Sequence, residues 1–214
     1  MPPRPPAAVL AVVLAAVAAD ALAVETWNFT ARLDGDRIGT HRFVATPLPG
    51  GGLELASDAR FDVTLLGIPL YRYRHRANER WSGGCLAALT ARTEDEGRVT
   101  EVRAEATPTG FRLRSRQADG ADVEAKATVP CLMSFAYWNP ALAQQAQLLD
   151  PGTGRIEAVA ISPATTVPAD LPPGTRGVRI GGLPRPIDVW YAGEQWIGLD
   201  AIVASGRRLT YRLR

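Results

Sequence analysis

The chain has 214 residues, of which 46% are hydrophobic and 21% charged, and its formal net charge is +2. So small an imbalance gives no electrostatic motive for nucleic acid. With only two cysteines and two histidines, widely spaced, the chain also lacks the makings of a zinc site.

In chain order, the first segment reads as a leader. Arg4 precedes an apolar run from Ala7 to Ala18, and Ala21 and Ala23 form an A-x-A cleavage pattern. The run is about a dozen residues, short of the roughly 20 that a spanning helix needs. Residues 1–23 are therefore expected to be a cleaved signal peptide, leaving a periplasmic or secreted protein that is not integral to a membrane. The mature part, 24–214, is roughly 190 residues, the size of one well-buried domain.

Beyond the leader the dominant period is two. Trp27, Phe29, Ala31 and Leu33 alternate with polar positions, and Asp34-Gly35-Asp36 turns the chain into a strand from Ile38 to Ala45. After a loop from Pro47 to Gly52, a long half-buried strand runs from Leu53 to Leu65. Leu66-Gly67-Ile68-Pro69 interrupts the ladder. From Leu70 to Trp81 one face carries Tyr71, Tyr73, His75, Ala77, Glu79 and Trp81, and the other Arg72, Arg74, Arg76, Asn78 and Arg80. Further strands are predicted at Cys85–Thr93, Val99–Ala106, Phe111–Arg116 and Val123–Val129.

Pro130 changes the pattern. A dense apolar run from Cys131 to Asn139 ends at Pro140, and the composition of Ala141 to Leu149 predicts one short helix. Strands resume at Ile156–Ile161, Gly177–Ile180, Ile187–Ala192, Trp196–Val203 and Leu209–Leu213. Ten or more antiparallel strands in one domain imply a mainly β fold, a single curved antiparallel sheet or an open or closed β-barrel, with one short helix.

Chemistry-bearing residues are few. Export makes a disulfide between Cys85 and Cys131 chemically allowed, and each lies at an element boundary where a cross-link fits. His75 and Glu79 share a strand face but stand roughly 13 Å apart along it, so they form no direct acid/base pair. His41 approaches His75 only if the intervening strands pair in the right register. No G-x-S-x-G and no phosphate-cradling glycine loop occurs. Hence no catalytic residue, no metal and no cofactor is expected. The candidate ligand-binding set is Tyr71, Tyr73, His75, Glu79, Trp81, Tyr137 and Trp138, lining an aromatic face fit for a hydrophobic small molecule or lipid.

Several stretches carry a family resemblance: Ile38-Gly39-Thr40-His41-Arg42-Phe43, Tyr71-Arg72-Tyr73-Arg74-His75, Cys131-Leu132-Met133-Ser134-Phe135-Ala136-Tyr137-Trp138-Asn139-Pro140 and Ile187-Asp188-Val189-Trp190-Tyr191. In these the chain resembles an uncharacterised family of exported Gram-negative bacterial proteins, a domain of unknown function. More distantly it is similar to the open barrels of lipoprotein-localisation factors, which implies a curved sheet that holds acyl chains. The leading expectation is a non-enzymatic periplasmic protein that binds a hydrophobic ligand, a lipid or acyl group. One alternative is an envelope interaction or structural protein using the arginine row or a sheet edge. Another is a hydrolase-like enzyme built on His75 and Glu79.

Overall fold

A computed structural model describes residues 23–65 and 68–214. The expected leader, apart from Ala23, and the Leu66-Gly67 link lie outside the described residues.

Sixteen strands are present among the described residues. The first eight are β1 (Glu25–Leu33), β2 (Asp36–Leu48), β3 (Gly52–Leu65), β4 (Ile68–Ser82), β5 (Cys85–Asp95), β6 (Arg98–Thr107), β7 (Gly110–Arg116) and β8 (Asp122–Ala127). Each pairs antiparallel with the next. A second run comprises β12 (Ala160–Pro163), β13 (Arg176–Gly181), β14 (Ile187–Ala192), β15 (Gln195–Ile202) and β16 (Arg208–Leu213). Its last strand pairs with β1, so the first and last strands meet in the middle of one 13-stranded sheet. No ladder joins the edge strands β8 and β12 among the described residues, so the sheet stays open. Charged Asp122, Glu124 and Lys126 guard the β8 edge against further pairing.

Alternation decides which face is inside. In β1, Trp27, Phe29, Ala31 and Leu33 are all buried while their neighbours are not. Across the inner face the register is Trp27↔Phe43↔Ser57↔Ala77↔Ala91, and next to it Phe29↔His41↔Ala59↔His75↔Thr93. Small side chains at Ser57, Ala59, Ala77 and Ala91 leave room above β3 to β5. A segment of the same chain fills it.

That plug holds β9 (Met133–Ser134), a 3-10 turn (Pro140–Gln144), β10 (Gln147–Leu149) and β11 (Ile156–Ala158). β10 is the central strand of a small sheet, parallel to β9 and antiparallel to β11. Leu132, Met133, Leu142, Leu148 and Leu149 are fully buried against the large sheet. The helix expected over Ala141 to Leu149 is therefore not formed. Asn139 caps a single turn by accepting from the Ala141 N–H at 3.0 Å, and Gln145 is already extended. Nine residues give too few turns to hold a helix on propensity alone, and burying Leu148 and Leu149 on both faces of a strand outweighs it. Replacing Asn139 by Ala should cost about 1 kcal/mol, read as a lower urea midpoint with an unchanged slope.

Other boundaries also move. The loop expected over Pro47 to Gly52 is tighter, since Leu48 pairs with Gly52. The strand expected over Ile156 to Ile161 is two, because Val159 donates to the Ala146 carbonyl and sends β11 and β12 into different sheets. Cys85 and Cys131 form a disulfide with Cα atoms 5.3 Å apart. The Leu86 N–H donates to the Leu132 carbonyl beside it, so the start of β5 and the root of the plug are held together twice.

Candidate functional site

Between the inner face, the plug and the 183–185 loop lies a cleft of about 440 Å³, within the range of small-molecule sites. Five of the seven candidate residues converge on it: Tyr73, His75, Glu79, Tyr137 and Trp138. The other two do not. Trp81 is buried beneath the plug with its ring centroid 5.2 Å from that of Trp138, edge-on. Tyr71 is half-buried near the start of β4, bonded to Asp95.

Strand register brings His41 to the site. His41 and His75 both face Ala59 on the strand between them, and their ring centroids are 6.5 Å apart. The His41 ring lies 4.0 Å from Phe43 and 5.7 Å from Tyr211. Neither of its nitrogens, both shut off from solvent, has a hydrogen-bond partner. Burial, reinforced by repulsion from His75, holds its pKa down to about 3. The imidazole is thus neutral at physiological pH.

His75 is satisfied where His41 is not. Its Nδ1 lies 2.9 Å from Thr93 Oγ1, and burial lowers its pKa against the opposing pull of Asp150 and Asp58. Burial likewise raises the pKa of Tyr73, with help from Asp150, while the Thr93 hydroxyl opposes. Asp150 is held by the turn that follows it, accepting from Gly152 N–H and the Thr153 hydroxyl, both at 2.8 Å.

Glu79 is the buried acid of the cleft. It accepts from Trp81 Nε1 at 2.9 Å and from the Ser134 hydroxyl, yet burial outweighs both and lifts its pKa to about 7. His75 and Glu79 spend their hydrogen bonds on different partners, so the two do not act as a unit. Trp138, wedged between Trp27 and Trp81, has an indole N–H that is buried without an acceptor.

The remaining lining is largely apolar: Phe43, Leu55, Phe135, Leu199 and Leu209 contribute. Sequence reasoning passed over Asp150, Ser134 and Tyr211, since each reaches the cleft through tertiary packing. On the outer face the arginine row is partly neutralised. Arg74 Nη2 donates to both carboxylate oxygens of Asp62, and Arg76 shares Asp58 with Arg60. Among the described residues no group of three or more His, Cys, Asp or Glu is placed to hold a metal ion.

Comparison with curated proteins returns no match. Among solved structures the chain is similar to the crystal structure of a beta-barrel-like protein of domain of unknown function DUF1849 from Brucella abortus. The TM-score is 0.57 at 10% identity, over 89% of this chain and 95% of that one. At that identity the likeness concerns the fold. Sequence carries the family assignment: residues 29–214 match the family described as domain of unknown function (DUF6134), and the chain belongs to it.

Proposed function

We propose that this β-barrel-like domain is exported and, without catalysing a reaction, binds a hydrophobic ligand such as a lipid or acyl group in the cleft between its sheet and its plug. One observation carries the reading: an open, aromatic-lined cleft of about 440 Å³ remains beside a plug that otherwise fills the interior. Burial of apolar surface there supplies roughly 25 cal/mol for each Å² removed from water. The leader and the disulfide are consistent with an oxidising compartment outside the cytoplasm.

Ser57 gives a direct test. It lines the cleft between Phe43 and Ala77 in the strand register, and Ser57→Leu would project a branched side chain into the space. The variant should fold as the parent does yet lose uptake of a fluorescent acyl probe, and native mass spectrometry should find the parent carrying an apolar species. A parent that carries nothing and takes up no probe would end the proposal.

A further inference from the structure

Two polar groups on the cleft wall have no partner, and they differ in what they need. Trp138 Nε1 can only donate, whereas the neutral His41 ring offers one donor and one acceptor. Buried polar groups in native proteins nearly always find partners. Among the described residues the side-chain shortfall falls on two, and both line the same cleft. As the structure stands these nitrogens are closed off from solvent, so a ligand in the cleft reaches them only when the His41 and Trp138 side chains turn toward it.

The charges lining the cleft narrow the class of that partner. Glu79, Asp150 and Glu157 contribute carboxyl groups, and among the described residues the one cationic side chain is Arg185, an exposed residue whose guanidinium donates to the Ala204 carbonyl. A ligand carboxylate would be desolvated beside the carboxyl groups of Asp150 and Glu157, an unfavourable arrangement for it. An uncharged carbonyl oxygen accepts from the same N–H groups with no such penalty. Resting on the ligand-binding reading of this cleft, we propose that its ligand is an apolar chain bearing an uncharged ester or amide carbonyl whose oxygen accepts hydrogen bonds from Trp138 Nε1 and the His41 N–H. Free fatty acids are thereby disfavoured.

The test compares a monoacylglycerol with the free fatty acid of the same chain length, each titrated into the mature protein at pH 7.5. The ester should bind at least about tenfold more tightly. Trp138→Phe and His41→Phe should each weaken the ester by about threefold to tenfold, the range of one neutral hydrogen bond, and leave an alkyl probe without a carbonyl unchanged. Because His41→Phe removes two unsatisfied nitrogens from an aromatic cluster, the variant should be as stable as the parent or more so, which separates lost binding from lost fold.

Three outcomes overturn the inference. Fatty acid binding as tightly as ester, and weakened by Arg185→Gln, would place a carboxylate at the mouth and leave the ligand reading standing. Equal weakening of the alkyl probe by the two Phe variants would show that they act through shape alone. Failure of ester, acid and alkyl probe alike would remove the ligand reading together with this one.

Discussion

Reducing the Cys85–Cys131 disulfide should lower the melting temperature of the protein by about 5–15 °C. The bond links residues 46 apart in sequence, and a cross-link of that span typically contributes about 2–4 kcal/mol by restricting the unfolded chain. In a domain of this size each kcal/mol corresponds to about 2–4 °C. The effect should not stop at the unfolded state. Cys131 leads directly into β9, and the plug it anchors forms one wall of the cleft. The reduced protein, and the variant with both cysteines replaced by Ser, should therefore keep the β-sheet signature in circular dichroism while taking up acyl probe less readily. A melting temperature unmoved by reductant, with loss of the bond verified by mass, would show that β5 and the plug stay together without it.

Replacing Glu79 by Gln should change how stability depends on pH, by about 3 kcal/mol between pH 4.5 and pH 8. Burial lifts the Glu79 carboxyl from its ordinary 4.5 to about 7, and each tenfold change in proton affinity is worth about 1.4 kcal/mol. In that window the native state keeps a proton that the unfolded chain has lost. Glu79's contribution is thus fully present below pH 4.5 and is lost as pH rises through about 7. His41 runs the other way. With its pKa depressed from 6.5 to about 3, it contributes stability that is present above pH 6.5 and lost as pH falls toward 3.

Between about pH 4.5 and 6.5 the Glu79 slope in the parent opposes that of His41 and of His75, whose pKa burial also lowers, so the parent's urea midpoint should rise less steeply there than the variant's. Glu79→Gln leaves the histidine slope uncovered, and the midpoint should then rise with pH across the same interval. Parallel curves for parent and variant would mean that Glu79 titrates in the folded protein as it does in water.

Much of the fold was legible because strands announce themselves through alternation. Trp27 to Leu33 and Leu53 to Leu65 show the inner face directly, and the Asp34-Gly35 and Gly83-Gly84 turns mark where chains reverse. The aromatic and acidic members of the cleft on β4 were readable in the same way. Two kinds of information were not. Whether His41 meets His75 depends on the register of two hairpins, which is set by turn geometry and by a one-residue bulge at Val63/Thr64 beyond their contact. The plug was harder still: Ala141 to Leu149 has the composition of a helix, and only the presence of β9 and β11 beside it makes a strand the better solution.

By itself the sequence determined a mainly β fold, the pair of cysteines available to staple it, and which side chains share each strand face. These follow from period-two patterning and turn chemistry, which are local. Tertiary structure alone decided that the sheet stays open, that a segment of the same chain occupies its interior, and that His41, Glu79, Asp150 and Trp138 border one cleft. Those outcomes depend on strand register and on filling the space above Ser57, Ala59 and Ala77, and packing between segments far apart in the chain leaves no periodic trace in either one.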